Sequence, residues 1–158
     1  MPAQSPLRPI APVVIVGGIT SAATTGALVA IGRRLGNSGI PFAAISAALF
    51  HRTAAGGEAG LVFGGLVLHV TVMFVLASAC VWLVTRLRLS NLVAAAIVAL
   101  GELALSWLFA WSRGSGMATI LPLGDRIVLA LVTASALVVG MRFAFSLMRN
   151  ASSHVDAM

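Results

Sequence analysis

The segment from Leu61 to Val84 reads LVFGGLVLHVTVMFVLASACVWLV, and it decides the fold class. It carries no formal charge and is followed by Arg86 and Arg88. About 20 consecutive apolar residues form a helix long enough to cross the hydrocarbon core of a bilayer. Lipid offers no partners to backbone polar groups, so such a segment must satisfy them as a helix. We therefore expect a transmembrane helix here.

Three further segments of the same kind flank it. They cover residues 10–31, 92–111 and 127–148, and Glu102 is the acid that interrupts the second of these three. The run Arg86–Asn91 is too short for anything but a tight turn, so the spans 61–84 and 92–111 should form an antiparallel hairpin. The sequence predicts an all-α, polytopic membrane protein whose four transmembrane helices form one domain over residues 1–158.

Composition and charge support this class and exclude others. The chain has 158 residues, of which 59% are hydrophobic and 9% charged, whereas soluble domains carry about 25% charged residues. Its ten basic residues are all arginines, and they lie near the ends of the apolar runs. This distribution suits a lipid bilayer with bound lipid headgroups and argues against a nucleic-acid partner. The lone cysteine, Cys80, can form no internal disulfide.

The arginines give little information on orientation, because five fall on each side of the predicted membrane. The short charged turn Arg86–Arg88 favours cytoplasmic termini.

The connection between the first two spans contains a further apolar segment, Pro41–Arg52. Proline suits the first turn of a helix, and Phe42, Ile45 and Leu49 are spaced roughly as on one helical face. We predict a short helix lying in the membrane interface, with an irregular loop as the alternative.

Small residues recur at every fourth position of the first span, at Gly18, Ala22, Gly26 and Ala30. Such a stripe lets another helix approach closely. It could pack inside this bundle or dock onto a helix of another subunit, and the sequence does not separate these alternatives.

Two polar residues lie deep within the predicted spans. Glu102 falls near the middle of the third span and His69 about three residues from the middle of the second. Intramembrane acids are costly and often mark ion or proton paths. In an antiparallel hairpin the two residues would differ in depth by roughly 5–8 Å. We therefore expect an intramembrane polar pair between His69 and Glu102, or a hydrogen bond from Glu102 to Ser106.

A second interpretation of His69 comes from its spacing to Gly65. A small residue four positions before a membrane histidine leaves room for a flat macrocycle bound axially to the imidazole. The pattern resembles the pigment-ligating histidine of bacterial light-harvesting helices, and that resemblance implies bacteriochlorophyll, or haem, as a ligand of His69.

The sequence contains no motif of an enzyme. It has no phosphate-binding glycine loop, no H-E-x-x-H, no nucleophile elbow and no CxxC. We therefore predict no catalytic residues and no metal site.

The stretch from Ile45 to Leu87 resembles a loose group of small bacterial four-helix membrane proteins of unknown function. The resemblance rests on Gly56-Gly57, the Gly65-x-x-x-His69 spacing and the basic end. It departs from the group at Ala48-Leu49 and Val70-Thr71. It implies a multi-pass protein of a bacterial inner (cytoplasmic) membrane and carries no activity.

These observations favour a non-catalytic accessory subunit of a larger energy-converting membrane complex. The complex would be photosynthetic, such as a reaction-centre or light-harvesting assembly, or respiratory, and other transmembrane subunits would be the partners. The alternative is a small oligomeric transporter or channel that uses Glu102 and His69 as a proton or ion site.

The membrane assignment is tested by extraction. We expect the chain to stay with the membrane pellet in alkaline carbonate and to dissolve only in detergent, because so much apolar surface cannot face water. A compact, soluble chain in plain buffer would contradict the assignment.

Overall fold

The computed structural model describes residues 10–50, 59–113 and 120–155, with side chains described outside 50, 109–113 and 151–155. Every regular element in these ranges is an α-helix. There are five of them: α1 (Ile10–Arg34), α2 (Ile40–Phe50), α3 (Ala59–Arg86), α4 (Asn91–Arg113) and α5 (Leu123–Val155).

Four of the helices, α1, α3, α4 and α5, are long and apolar enough to cross a membrane. They cover the four predicted spans, and their ends differ from the prediction by a few residues. The largest difference is in α5, which begins at Leu123 and continues through polar residues to Val155. The sequence after Met148 is mostly polar, and the predicted span ends there. It contains no glycine or proline before Val155, so nothing in its backbone chemistry stops the helix.

The long helices alternate in direction and enclose α1 between two neighbours. Position Gly17 of α1 lies against Phe74 of α3, and Val16 lies against Gly140 of α5. Further along α1, Thr24 contacts His69 of α3. Residue numbers therefore decrease along α3 as they increase along α1, which means that the two helices are antiparallel. Helix α4 packs mainly on α5 and follows α3 through a tight turn at residues 87–90, as predicted. The result is an up-down-up-down bundle.

The connection from α1 to α2 is a compact turn built around Gly36. Its φ of 96° lies in the left-handed region, which glycine adopts without steric cost. The side-chain oxygen of Asn37 then accepts a hydrogen bond of 2.8 Å from the amide of Gly39, which satisfies a free donor before α2. This turn brings α2 back against the bundle.

The short helix predicted over Pro41–Arg52 is present as α2, although residues 51 and 52 lie outside the described part of the chain. It packs against α3 and α1, and its residues Pro41–Ala44, Ser46 and Ala47 are buried. A helix that is apolar on every side is expected to be enclosed by other elements. Helix α2 therefore belongs to the packed body of the bundle.

Glycines in α3 allow α2 to cross it at very short range. A Cβ atom at Gly65 would overlap the backbone carbonyl of Phe42, and one at Gly64 would lie 2.8 Å from Ser46 Oγ. A Cβ atom at Gly39, just before α2, would lie 2.9 Å from a side-chain carbon of Val62. The backbone of α2 therefore approaches α3 closely around Gly64 and Gly65.

The interior has two apolar clusters, one in each half of the bundle. The first lies where α1 begins and α5 ends, and its buried members are Val16, Ala77, Cys80, Val81, Ala94, Ala95, Val98, Leu137, Met141 and Ala144. The second lies where α1 ends and α5 begins, and its buried members are Leu28, Ile31, Phe42, Leu121 and Leu129.

Substitution Gly65→Ala tests the crossing of α2 over α3. The added methyl group meets backbone atoms, which cannot rotate away, so the free energy of unfolding should fall by about 1–3 kcal/mol. Gly60→Ala is the matched control, because a Cβ at Gly60 in the same helix meets nothing. Thermal unfolding in detergent micelles measures both variants. Equal stability of the two would show that α2 does not approach α3 this closely.

Candidate functional site

His69 is buried where α1, α2 and α3 meet, with 3% of its surface exposed. Its Nε2 lies 2.9 Å from the hydroxyl oxygen of Thr24. That hydroxyl is also 2.8 Å from the carbonyl oxygen of Thr20, one turn earlier in α1. A hydroxyl has a single proton to donate. Because the carbonyl of Thr20 takes it, the imidazole Nε2–H donates to Thr24.

Helix α2 covers the other side of the imidazole. The rings of Phe42 and His69 meet edge to face, with centroids 6.1 Å apart and an interplanar angle of 72°. The backbone carbonyl of Phe42 packs directly against Gly65. The backbone of α2 therefore fills the space beside His69 in which a macrocycle was predicted to bind. Axial ligation of bacteriochlorophyll or haem stays a prediction, and it would require α2 to move away and Thr24 to release Nε2.

Glu102 lies between α4 and α5, beside the hydroxyl of Thr133. Its Oε2 and the hydroxyl oxygen of Thr133 are buried and have no hydrogen-bond partner among the described residues. Ser106, a candidate partner in the sequence, donates its hydroxyl to the carbonyl of Leu103 at 2.7 Å. The structure therefore gives Glu102 a neighbour on α5.

The structure does not join His69 to Glu102. No hydrogen bond links them in the ranges that the structure describes, because His69 turns toward α1 and Glu102 toward α5. Helices α3 and α4 also contact each other less than either contacts its other neighbour. The two residues share a similar depth, as the hairpin geometry suggested, but they belong to two separate polar contacts.

Arg126 and Asp125 are charged residues at the start of α5, near Glu102. An acid at this place suits the helix dipole, and an arginine there predicts contact with lipid headgroups. Asp125 is in the first turn of α5, where it accepts a 2.6 Å bond from Arg34 at the end of α1. The guanidinium of Arg126 lies 5.0 Å from the ring centre of Trp107 on α4. Arg126 and Glu102 line one cavity of about 40 Å³.

The register of the helices brings these polar groups to one level. Val16 faces Gly140 across the antiparallel pair of α1 and α5. Thr24 comes eight residues after Val16 in α1, and the residue eight positions before Gly140 in α5 adjoins Thr133. Both threonines are fully buried. His69, Thr24, Thr133 and Glu102 therefore form a polar layer, one residue from each long helix, about midway along the bundle.

The small-residue stripe of α1 lies on the opposite face. Gly18, Ala22, Gly26 and Ala30 are exposed on the outside of the bundle, and a Cβ at Gly18 or Gly26 would meet nothing. The stripe is therefore not used in packing within this chain.

Sequence reasoning missed the partners of the polar residues more than the residues themselves. A threonine inside a helix can return its hydroxyl to the preceding turn, which Thr24 does, but Thr24 also accepts from His69. Thr133 and the Arg126–Trp107 contact were not predicted. The sequence did contain a signal for a polar contact inside the bundle, because Thr20 and Thr24 are one turn apart and lie on the face of α1 opposite the small-residue stripe.

Comparison with protein-family models, curated proteins and solved structures finds no match for this chain. Among the described residues, no three His, Cys, Asp or Glu side chains are grouped so that they could hold a metal ion.

Substitution Thr24→Val tests the first contact of the polar layer. It leaves the buried Nε2–H of His69 without an acceptor, so the free energy of unfolding should fall by about 1–3 kcal/mol. Thr20→Val is the matched control on the same buried face, because the Thr20 hydroxyl has no partner among the described residues. Chemical unfolding in micelles should show the control unchanged or slightly more stable. Equal losses in both variants would argue against the bond to His69.

Proposed function

We propose that the protein is a non-catalytic subunit of a larger membrane assembly and that a transmembrane helix of another subunit docks on the exterior of α1. The observation that carries this proposal is the outward orientation of the stripe formed by Gly18, Ala22, Gly26 and Ala30. In lipid, helices associate through close packing of small residues rather than through burial of apolar surface from water. A stripe that the chain's own bundle leaves uncovered suits contact with another helix.

The surface beside the stripe fits the same role. An apolar groove of about 460 Å³ runs between α1 and α5. On α1 it is lined by Ile19 and Ala23, which are adjacent in sequence to stripe residues Gly18 and Ala22. A helix docked on the stripe would place its backbone close to α1, and its large side chains would fill the neighbouring groove.

The exterior of the remaining helices supports a lipid or protein environment rather than water. Large apolar side chains are exposed on α3, α4 and α5, including Phe63, Leu92, Leu100 and Leu131. These surfaces lack the run of small residues that distinguishes α1. We therefore place the helix contact on α1 and lipid on the others.

The kind of assembly follows only from sequence. Among such assemblies we favour an energy-converting complex, photosynthetic or respiratory. The Gly65–His69 spacing favours the photosynthetic kind, and α2 occupies the space beside that histidine in this fold. The alternative of a small oligomeric transporter needs Glu102 and His69 to act together, and their partners lie on different helices. Docking through α1 depends on neither residue.

Substitution Gly26→Leu tests the docking surface. The new side chain projects from the exterior of α1 and should block a close helix contact, so the assembly isolated with the wild-type chain should be lost or at least strongly reduced. Folding should not suffer, since no neighbouring atom lies near this position and leucine favours a helix by roughly 1 kcal/mol over glycine. Native mass spectrometry after extraction in mild detergent measures the loss.

Gly101→Leu is the matched control for this experiment. Gly101 is also mid-helix, exposed and free of nearby atoms, but it belongs to α4. The control should keep the wild-type assembly. Retention of the assembly in both variants, or a wild-type chain that is monomeric under the same conditions, would reject docking through α1.

A further inference from the structure

The cavity beside Glu102 has a mostly apolar wall, but three of the residues that line it are polar. Glu102 and Ser106 contribute from α4 and Arg126 from the first turn of α5, while the other lining residues are apolar. Its volume of about 40 Å³ exceeds the roughly 10–15 Å³ that one water molecule requires. A cavity of this size with several polar groups is one that water can occupy.

Two of these polar groups lack protein partners. Glu102 Oε2 and Arg126 Nε are both buried and have no hydrogen-bond partner among the described residues. One is an acceptor or, when protonated, a donor, and the other is a donor. They line the same small space without forming an ion pair with each other. Buried polar groups are rarely left unsatisfied, so both atoms point to a partner that the described part of the chain does not supply.

The cavity extends from the middle of the bundle toward one end. Glu102 is the central residue of α4 and neighbours Thr133 on α5. Arg126 comes seven residues before Thr133, which is about 10 Å along the helix axis. The guanidinium rests over Trp107, 5.0 Å from the ring centre, and this contact holds it against the cavity. The polar side of Glu102 therefore faces the end at which α5 begins.

Close-packed apolar side chains separate Glu102 from the other end of the bundle, where a further pocket lies between the start of α4 and the end of α5. Beyond Glu102 the contact between α4 and α5 consists of buried residues of the first apolar cluster, among them Ala95, Val98, Leu137, Met141 and Ala144. Side chains in such a core leave few spaces larger than a water molecule.

We propose that Glu102 is a proton-exchanging carboxyl group that water reaches from one side of the bundle only, through the cavity lined by Arg126. The ligand is the proton, and Arg126 is the charged side chain nearest its entrance. The neighbouring Asp125 is engaged by Arg34, and His69 on α3 donates to Thr24. On the described helices packed around Glu102, Arg126 is thus the ionisable group that shares its cavity. The site does not depend on docking through α1.

A lipid-soluble carbodiimide, dicyclohexylcarbodiimide, tests the proton-binding role on the full chain in detergent. The reagent adds to a protonated carboxyl: the acid proton goes to one carbodiimide nitrogen, the carboxyl oxygen bonds to the central carbon, and the acyl group then shifts to nitrogen with no atom lost. Peptide mass spectrometry should find one reagent mass on Glu102. The labelling rate should fall by about tenfold per pH unit above the midpoint of the titration.

Two controls define the labelling result. Glu102→Gln should lose the label from this peptide, and Asp125, which is ion-paired at the end of the bundle, should label much more slowly. A Glu102 that stays unlabelled at every pH, or one labelled at a rate independent of pH, would overturn the proposal.

Cysteine accessibility tests the one-sided path, in a Cys80→Ala background. Ala130→Cys places a thiol on the cavity wall, and Ala144→Cys places one in the sealed apolar cluster of the same helix. A small charged thiosulfonate reacts with thiolates in water, so the cavity position should react at least about ten times faster. Equal rates at the two positions would overturn the one-sided path, and they would do so whether or not the α1 docking surface is correct.

Discussion

The hydrogen bond between Thr24 and His69 fixes the rotation of α1, and much of the bundle follows from that rotation. α1 contacts α2, α3 and α5, so its orientation decides which of its faces each neighbour meets. Turning Thr24 inward toward His69 places Ala22 and Gly26, each two residues away, on roughly the opposite side of a helix with 3.6 residues per turn. The same rotation therefore buries the threonines and exposes the small-residue stripe. The inner polar contact and the outward-facing stripe are two consequences of one geometry.

The polar layer shows how a chain with few polar residues arranges them. The layer takes one polar side chain from each long helix: His69 is bonded to Thr24, and Glu102 lies beside Thr133. In apolar surroundings an unpaired polar group is costly, so the bond between His69 and Thr24 favours the packing of α1 on α3. The first contact is fully bonded and covered by α2. The second contact leaves Oε2 of Glu102 without a protein partner beside a cavity. The unsatisfied carboxyl oxygen of the layer therefore lies on this side.

The sequence was sufficient to predict the four long helices, because length and apolarity alone require them, and the α3–α4 hairpin, because its turn is so short. It could not predict how the helices rotate about their axes. The pairing of His69 with Glu102 was inferred from depth, which was similar, but pairing depends on rotation, and the structure turns the two residues toward α1 and α5. The contact of Arg126 with the ring of Trp107 on α4 could not be predicted for a related reason. Interhelical contacts of this kind have no local signature in the chain.

The two halves of the bundle pack differently around Glu102. In one half, alanines on α4 pack with Leu137 and Met141 on α5 in an apolar cluster, and such a core leaves few spaces larger than a water molecule. In the other half, the guanidinium of Arg126 on α5 lies over the ring of Trp107 on α4. Arg126 and Glu102 both line a cavity there whose wall is otherwise mostly apolar. Because Glu102 lies at the boundary between the halves, its carboxyl group borders this cavity on one side and the apolar cluster on the other.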